Sequence, residues 1–385
     1  MTRISDSWLT RPATQAICRT LTEAGAQALF VGGCVRNALL GAPVSDIDIS
    51  TDALPDQVME LAQAAGIKAV PTGITHGTVT LVKGGIPHEV TTFRRDVATD
   101  GRRAVVAFST DLAEDAARRD FTMNALYAMP DGTVLDPLDG IKDLTTRRVR
   151  FIGVAQDRIR EDYLRSLRYF RFHAWYGDPA QGFDPDALAA IAENLDGLCA
   201  LSRERVGAEM LKLLGAPDPA PSVATMRAIG VLTAVLPGAD DRVLAPLVHL
   251  EAEAGLAPDP LRRLAALGAP EQSSTLRLSR AQTGTLAKLH EAATGTAQAG
   301  ELGYRIKAKL AVDSLVLRCA LLEQPWNSQW KPQVESGAKA RFPVSAGDLM
   351  PEFQGPALGA KLAELETKWI KSQFDLSRDE LLGMA

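Results

Sequence analysis

The chain has 385 residues, of which 46% are hydrophobic and 23% charged, and its formal net charge at pH 7 is −5. These values are typical of globular proteins, and the length predicts two to four domains. The negative charge excludes a globally basic surface, so any contact with nucleic acid needs a local basic patch. No apolar run approaches membrane-spanning length, and the N-terminal residues contain no signal-peptide core, so we expect no membrane association.

Four cysteines are far apart in the sequence: Cys18, Cys34, Cys199 and Cys319. They form no Cys-x-x-Cys pair and have no histidine at metal-ligand spacing. Neither a zinc site nor a disulfide framework is therefore indicated. We expect free thiols and a cytoplasmic protein in a reducing compartment.

The region up to about residue 147 mixes short strands with helices. Alternating apolar residues predict strands, and an apolar period near 3.6 predicts a helix. The predicted strands are 28–31, 47–50, 77–83 and 89–93, and the predicted helix is 55–65. Beyond residue 154 nearly every segment is typical of helix, and Pro/Gly clusters at 215–221, 256–260 and 325–332 mark breaks. We therefore expect an α/β region followed by an all-α remainder.

A glycine pair, Gly32 and Gly33, follows the first predicted strand, and Arg36 lies one helical turn into the next segment. Glycines at such a point let backbone amides approach a phosphate group. Further along, Asp46 and Asp48 alternate with two isoleucines, so both carboxylates should point to one face of a strand. Two carboxylates about 7 Å apart can hold hard cations and leave positions open for water and phosphate oxygens. The pattern predicts metal-dependent phosphoryl or nucleotidyl transfer.

Each part of this pattern also has a purely structural explanation. An Asp-Ile-Asp string occurs at exposed strand edges, and a Gly-Gly pair is usually a turn. The glycine motifs of dinucleotide-binding proteins and of P-loop proteins are both absent. The order and close spacing of the glycines, the arginine and the aspartates favour the catalytic interpretation.

Two adjacent arginines, Arg118 and Arg119, follow a helical run that begins near Thr110. They could bind the carbonyl groups at the end of their own helix. They could equally hold a triphosphate, because guanidinium groups bind phosphate oxygens in bidentate pairs and stay charged. The sequence alone leaves both alternatives open.

The basic patch lies between residues 142 and 172, where nine basic residues accompany four acidic ones, giving a local charge of +5. Near the end of this patch, Tyr163, Leu167 and Phe170 have helical spacing and would form one apolar stripe on a helix. On a continuous helix, Asp162 and Arg165 lie one turn apart on nearly the opposite side. Arg168 and Arg171 continue the same polar row.

This polar row has two explanations. It could be an exposed helix face with intrahelical ion pairs, each worth a few tenths of a kcal/mol. Alternatively, Asp162 and Arg165 could present an acceptor beside a donor to a nucleobase. Cytosine and adenine carry an amino donor beside a ring-nitrogen acceptor, whereas uracil and guanine carry the reverse order. Because unpaired buried partners exclude the wrong base, the second explanation predicts selection of C and A.

Together, the three motifs resemble those of the class II tRNA nucleotidyltransferase (CCA-adding enzyme) and bacterial poly(A) polymerase family. The matching strings are Gly-Gly-x-Val-Arg with Asp-x-Asp, Arg-Arg-Asp-Phe-Thr-x-Asn-Ala, and Glu-Asp-x-x-Arg-x-x-Arg. The resemblance is close over about the first 215 residues and weaker beyond them. It implies an α/β nucleotidyltransferase head with a small mixed sheet and helices, followed by an all-α neck, body and tail. The implied boundaries are 1–147 for the catalytic head, 148–215 for the neck with the nucleotide-templating motif, 216–325 for the RNA-binding body and 326–385 for the tRNA-binding tail.

The resemblance also implies roles for particular residues. The carboxylates that carry the catalytic Mg²⁺ ions are Asp46 and Asp48. Contacts to the triphosphate come from Gly33, Arg36 and Arg119. The incoming base is templated by Asp162 and Arg165, and the nucleotide site is further lined by Arg168 and Arg171. Glu89 is a candidate catalytic carboxylate near the metals, or alternatively the salt-bridge partner of an arginine in the head.

One position departs from the family pattern. An aspartate usually follows the arginine of the first motif, where this chain has Asn37. An amide accepts hydrogen bonds but carries no charge, so a supporting contact should differ rather than the reaction. The polar segment 94–103 resembles the flexible loop of the family. The chain has no His-Asp dipeptide, so an HD-type phosphohydrolase domain is not indicated.

The implied activity is template-independent addition of C, C and A to the 3′ end of tRNA from CTP and ATP, without a DNA partner. The nearest alternative is a poly(A) polymerase. Such polymerases often end in a strongly basic tail, whereas this chain ends in Leu-Ser-Arg-Asp-Glu-Leu-Leu-Gly-Met-Ala. A second alternative adds only CC or only A. A third is a non-enzymatic RNA-binding module, which the complete set of motif residues disfavours.

Overall fold

The computed structural model describes residues 2–99, 104–268 and 272–385. These residues form two compact units. The first unit comprises Met1–Glu209 and Thr225–Val235, and the second comprises Met210–Ala224 and Leu236–Ala385. Within the described ranges, no helix combines the length and the apolar character needed to cross a membrane.

The strands all lie in the first unit, as far as the described residues go. In chain order they are β1 (Leu29–Val31), β2 (Asp48–Thr51), β3 (Lys68–Gly73), β4 (Thr78–Lys83), β5 (Ile86–Thr92), β6 (Arg94–Thr99), β7 (Ala104–Phe108), β8 (Tyr127–Ala128) and β9 (Val134–Leu135). Seven of them form one sheet in the order β3-β4-β5-β2-β1-β8-β9, and β6 pairs separately with β7. β2 is antiparallel to β1 and parallel to β5, so the sheet is mixed, as predicted.

The helices up to residue 235 are α1 (Pro12–Thr22), α2 (Gly33–Leu39), α3 (Pro55–Ala64), α4 (Leu112–Ala117), α5 (Gly140–Thr145), α6 (Ala155–Glu161), α7 (Leu164–Tyr176), α8 (Pro185–Ala192), α9 (Leu195–Leu198), α10 (Arg203–Leu214), α11 (Ala220–Ala228) and α12 (Val231–Val235). Four aromatic rings connect α7 with the region before it: Phe121, Phe151, Tyr169 and Phe172. Their centroids lie 4.7 to 6.2 Å apart, which is the usual range for packed aromatic pairs. This buried cluster fixes α7 against the segments that contain Phe121 and Phe151.

The four predicted strands and the predicted helix are present, with ends that differ by one to three residues. The alternation around β2 is also observed, because Ile47 and Ile49 are buried while Asp46 is exposed and Asp48 half-buried. However, β2 begins only at Asp48, so Asp46 lies just before the strand rather than within it. Of the predicted flexible loop at 94–103, residues 94–99 form β6, and residues 100–103 lie outside the described ranges.

The predicted continuous helix through residues 160–172 is wrong. α6 ends at Glu161 and α7 begins at Leu164, and Asp162 between them has an extended backbone with φ −154° and ψ 105°. The Asp162 Oδ1 atom accepts a hydrogen bond from the Leu164 amide at 3.1 Å. A carboxylate that binds a free amide in this way competes with helix continuation. Asp162 and Arg165 therefore do not lie on one helical face.

The second unit is helical throughout its described residues. Its further helices are α13 (Leu244–Glu253), α14 (Pro260–Ala266), α15 (Gln272–Thr275), α16 (Arg280–Thr294), α17 (Ala299–Ile306), α18 (Ala308–Leu321), α19 (Trp330–Lys339), α20 (Gly355–Lys371) and α21 (Arg378–Leu382). α17 and α19 cross so closely that an added Cβ at Gly337 would lie only 1.9 Å from the Gly300 carbonyl oxygen. Only glycine fits at such a crossing.

A buried ion cluster connects three helices of the second unit. Arg262 and Arg263 of α14 are almost fully buried, and Glu251 of α13 accepts a hydrogen bond from each, at 2.8 and 2.9 Å. Arg262 also pairs with Asp313 of α18, and Arg263 donates to the carbonyl oxygen of Leu214 at 2.7 Å. Glu251 is thus one of two carboxylate partners of Arg262 and the carboxylate partner of Arg263.

We predict that Glu251→Ala lowers the free energy of unfolding of the second unit by about 3–5 kcal/mol, because it leaves buried guanidinium charge without its partner. The control is Glu364→Ala, which breaks the surface ion pairs of Glu364 with Lys361 and Lys368 in the same unit and should cost less than about 1 kcal/mol. Urea unfolding followed by tryptophan fluorescence measures both, since Trp326, Trp330 and Trp369 all lie in this unit. An equal decrease in the free energy of unfolding in both variants would show that the buried cluster contributes no more to stability than a surface ion pair.

Candidate active site

Three carboxylates lie around the start of β2. Asp48 is its first residue, Asp46 is exposed just before it, and Glu89 on β5 is the cross-strand partner of Asp48. Burial raises the pKa of Asp48 to about 6, and the negative charges of Glu89 and Asp46 add to this rise. The Arg119 guanidinium acts in the opposite direction. The charged form of Asp48 is therefore disfavoured unless a further cation lies beside it.

This donor set fits a hard divalent cation that is bound by an incomplete shell of protein ligands. Such ions prefer carboxylate oxygens. Among the residues that the structure describes, no group of three or more His, Cys, Asp or Glu side chains is close enough together to hold a metal ion. An ion held by Asp46 and Asp48 would thus keep positions open for water and phosphate oxygens. Among the described residues Glu89 forms no salt bridge with an arginine of the head.

The glycine turn brings two arginines to the end of β1. Gly32 has φ +68°, a conformation that glycine adopts without strain, and α2 begins at the next residue, Gly33. A Cβ at Gly32 would lie 3.6 Å from Arg119 Nη1, and one at Gly33 would lie 3.7 Å from Arg36 Nη2. The two guanidinium groups that were predicted to contact a triphosphate therefore lie beside the turn that was predicted to approach it.

Arg36 is 6% exposed, and neutral groups accept its hydrogen bonds. Nε and Nη2 donate to Asn37 Oδ1 at 3.2 and 3.0 Å, Nη1 donates to Asn124 Oδ1 at 2.8 Å, and Nη2 donates to Tyr176 Oη at 2.8 Å. Burial lowers the pKa of Arg36, and the positive charges of Arg171 and Arg168 add to this effect, while Tyr176 and the nearby Asp120 carboxylate oppose it. Asn37, the departure from the family pattern, thus holds Arg36 without neutralising it.

Arg119 is fixed by Asp115, a fully buried carboxylate one turn earlier on α4. Asp115 Oδ2 accepts from Arg119 Nη2 at 3.0 Å and from Tyr127 Oη at 2.7 Å, and Oδ1 accepts from Arg118 at 2.6 Å. Burial alone would raise the pKa of Asp115, but the two arginines reverse the effect and lower it. The side chains of Arg118 and Arg119 therefore bind this carboxylate rather than the carbonyl groups of their own helix.

Two arginines of α7 converge with Arg36 on the ring of Phe172. The guanidinium carbons of Arg36, Arg168 and Arg171 lie 5.1, 5.5 and 4.8 Å from its centroid. Cations within about 6 Å of an aromatic face are attracted to it. Arg168 also pairs with the buried Asp120, with Nε to Oδ2 at 2.7 Å, and Arg171 pairs with the buried Glu209 at 2.6 Å. Three of the predicted site arginines thus form one positive cluster.

The predicted base-reading residues have separate partners. Asp162 Oδ2 accepts from Arg205 Nη2 at 2.7 Å. Arg165 pairs with Glu161 and donates to the carbonyl oxygen of Arg158 at 2.9 Å. Neither side chain binds the other, so no ion pair joins Asp162 to Arg165. The pair of Arg165 with Glu161, four residues earlier, is nevertheless an ion pair of the kind that the structural alternative predicted. Both are only part-buried, with 29% of the Asp162 side chain and 12% of the Arg165 side chain exposed.

Asp115 and Tyr176 support the site but belong to none of the sequence motifs. Four further supporting residues stand within motifs but had no predicted role: Asp120, Asn124, Arg205 and Glu209. Asp115 had a local signal, because it precedes the arginine pair by three and four residues, the spacing of helical ion pairs. Tyr176 had none, because its contact with Arg36 joins residues that are 140 positions apart.

Two family models match the chain. One is described as "Poly A polymerase head domain" and matches residues 28–150. The other is described as "Probable RNA and SrmB- binding site of polymerase A" and matches residues 182–242.

Relatives and solved structures extend the match over nearly the whole chain. CCA tRNA nucleotidyltransferase 1, mitochondrial, of Mus musculus is 34% identical over 370 residues, which covers 92% of this chain and 85% of that protein. The crystal structure of Bacillus stearothermophilus CCA-adding enzyme in complex with CTP has a TM-score of 0.78 at 26% identity and covers 97% of each chain. Thermotoga maritima CCA-adding enzyme complexed with tRNA_CCA has a TM-score of 0.69 at 18% identity, covering 100% of this chain and 98% of that one, which is a likeness of fold alone.

The mixed sheet, the carboxylates at the start of β2 and the helical remainder define a nucleotidyltransferase head joined to helical regions. This confirms the predicted fold class. The chain belongs to the CCA tRNA nucleotidyltransferase (CCA-adding enzyme) family, which confirms the resemblance stated from its motifs.

We predict that Asp120→Asn destabilises the protein more at neutral pH than in acid. Burial would raise the pKa of Asp120, but the charge of Arg168 and hydrogen bonds from Arg168, Asn124 and the Phe121 amide lower it to about 2, against an ordinary 3.8. A depressed carboxyl pKa contributes stability above its unfolded value, and this contribution is lost as pH falls from about 4 towards 2. Urea unfolding at pH 7 should show a deficit of roughly 2–3 kcal/mol that shrinks at pH 3.

The exposed Glu23→Gln variant is the control, and it should show no such pH-dependent deficit. A deficit in Asp120→Asn of the same size at pH 7 and pH 3 would contradict the charge pairing with Arg168.

Proposed function

We propose that this protein adds C, C and A to the 3′ end of tRNA from CTP and ATP, without a nucleic-acid template. The observation that carries the proposal is that one unit contains both a group of carboxylates and a group of arginines. Carboxylates gather at the start of β2, and the arginines Arg36, Arg168 and Arg171 converge on Phe172. A metal-bound nucleoside triphosphate needs both a carboxylate-rich edge and a cationic cluster. The family membership of the chain supports the same activity.

In this proposal Asp46 and Asp48 hold Mg²⁺, with Glu89 as a further catalytic carboxylate. When bound, the metal neutralises triphosphate charge and lowers the pKa of the attacking 3′-hydroxyl. The negative charges of Glu89 and Asp46 near Asp48 support this assignment. Gly33, Arg36 and Arg119 bind the triphosphate, and the fixed guanidinium groups orient it without reorganisation during the reaction.

Asp162 and Arg165 read the incoming base, with Arg168 and Arg171 lining the same site. Asp162 supplies the acceptor for an exocyclic amino group, and Arg165 supplies the donor for a ring nitrogen. The partial exposure of both side chains supports access of a base to each of them. Because Arg205 holds Asp162 at 2.7 Å, the base would share or replace that ion pair.

The division of labour follows the domain boundaries given above, which remain part of the proposal. Residues 1–147 carry catalysis, 148–215 select the nucleotide, and 216–325 and 326–385 bind the RNA. Acceptor stems share form rather than sequence, so this binding relies on shape and on phosphate contacts. We also propose a cytoplasmic location, which the free thiols of Cys18, Cys34, Cys199 and Cys319 support. Fractionation of the source cells tests the location.

One assay distinguishes the proposed activity from the alternatives. The protein is incubated with tRNA that ends before the first C, after one C, after both C residues, or after the complete CCA, and with one labelled triphosphate at a time. CCA addition predicts incorporation of C, C and A, in that order, and no extension of complete CCA ends. Repeated A addition would indicate a poly(A) polymerase, and incorporation at some positions only would indicate a partial enzyme. No incorporation at all would contradict the proposed function.

We predict that Asp46→Ala and Asp48→Ala each abolish nucleotide addition while tRNA affinity stays nearly unchanged. The reason is that removing either carboxylate leaves the triphosphate without an oriented metal. Single-turnover incorporation with Mg²⁺ measures the loss, and filter binding measures tRNA affinity. Asp56→Ala, which alters an exposed aspartate of α3, should keep full activity. Substantial turnover in the Asp48→Ala protein would remove the metal assignment.

We predict that Asp162→Ala lowers kcat/KM for CTP and ATP by roughly ten- to a hundredfold, which corresponds to about 1.5–3 kcal/mol for a lost charge-assisted hydrogen bond. Discrimination against UTP and GTP should fall in the same variant, and Arg165→Ala should act similarly. Steady-state kinetics with all four triphosphates measure both effects. The control is Asp157→Ala, an exposed aspartate on α6, which should behave like the wild type. If Asp162→Ala kept the wild-type preference for C and A, base reading by the protein would be excluded.

A further inference from the structure

Tyr176, the last residue of α7, binds the Arg36 guanidinium in two ways. Its ring centroid lies 3.9 Å from the guanidinium carbon, and its hydroxyl oxygen accepts a hydrogen bond from Nη2 at 2.8 Å. The ring covers the cation, and the hydroxyl fixes its direction. Tyr176 lies outside the three sequence motifs.

Arg36 differs from the other arginines of the site in its charge balance. Arg119, Arg168 and Arg171 each pair with a buried carboxylate. Within the described ranges Arg36 has no carboxylate partner, and its acceptors are the amides of Asn37 and Asn124 and the hydroxyl of Tyr176. Taking a guanidinium out of water is costly when no anion compensates it. The free-energy cost is relieved when an anionic ligand arrives.

The same contacts leave donors available for that ligand. Four of the five N–H groups of Arg36 have acceptors, which leaves one N–H on Nη1 without a partner among the described residues. The Tyr176 hydroxyl accepts from Arg36 but donates to no described group, and its side chain is only half-buried. Arg36 and Tyr176 therefore each keep one hydrogen-bond donor for an anion.

We propose that Tyr176 is a further nucleotide-binding residue. It holds Arg36 in place, and its hydroxyl group donates a hydrogen bond to a phosphate oxygen of the bound nucleoside triphosphate. The inference rests on the proposed function for its ligand class. It places Tyr176 at the phosphate end of the nucleotide, whereas Asp162 and Arg165 act at the base. Loss of Tyr176 should therefore affect all nucleoside triphosphates equally.

The test is equilibrium binding of CTP, CMP and cytidine to the full chain without RNA, measured by calorimetry. In Tyr176→Phe the ring remains and only the hydroxyl is lost, so CTP should bind roughly tenfold more weakly. Tyr176→Leu removes the ring as well and should weaken CTP binding further, with a smaller effect on CMP and none on cytidine. Tyr304→Phe is the control, because it removes a hydroxyl that donates to Glu366 at 2.7 Å in the second unit. It should bind CTP like the wild type.

Kinetics give a second readout that a merely structural role would not move. In Tyr176→Phe the KM for CTP and for ATP should rise by similar factors, while the preference among the four triphosphates stays unchanged. If Tyr176→Leu fails to fold, Tyr176→Phe decides, because it keeps the packing of the ring. Unchanged CTP affinity in Tyr176→Phe overturns the inference, and so does an equal loss for CTP and cytidine.

The two proposals fail in different ways. A wild-type protein that binds CTP but extends no tRNA overturns the proposed function, while a tenfold weaker CTP affinity in Tyr176→Phe still supports the phosphate contact. A wild-type protein that binds no nucleotide overturns both.

Discussion

Burial of guanidinium groups against carboxylates is the constraint on which the rest of the structure depends. In the first unit Asp115, Asp120 and Glu209 each hold an arginine that faces the candidate site. An arginine side chain is long and flexible, so its charge has a fixed position only where other groups accept its hydrogen bonds. These buried acids convert mobile cations into a preorganised electrostatic surface.

Arg36 differs from these arginines because no carboxylate accepts its hydrogen bonds among the described residues. The carboxylates that hold the other arginines cancel part of their charge, whereas neutral oxygens hold Arg36. At the start of β2 the uncompensated charge is negative. Asp48 lies near Glu89 and Asp46, and burial together with these charges raises its pKa. A metal-bound nucleoside triphosphate would suit both places, because its phosphates would bind Arg36 and its metal ion would bind the carboxylates at the start of β2. This complementarity is the physical basis of the proposed nucleotidyl transfer.

Charge burial serves a different purpose in the second unit. There Arg262, Arg263, Glu251 and Asp313 are buried together, and their charges are paired within the cluster. Arg263 also donates to the carbonyl oxygen of Leu214, which belongs to a segment distant in sequence. A fully paired cluster of this kind fixes helix positions but offers nothing to a ligand. The contrast with Arg36 separates structural arginines from those that can bind a substrate.

The sequence by itself determined the local structure and the chemical class of the site. Strand β2 and its neighbours follow from side-chain alternation, and the glycine turn and the paired aspartates follow from residue type and spacing, because these depend on residues close in the chain. Only the tertiary structure decided which groups meet. Asp162 leaves the helix and pairs with Arg205, 43 residues away, and Arg36 meets Tyr176, 140 residues away. Such contacts depend on how helices pack, which no local period encodes.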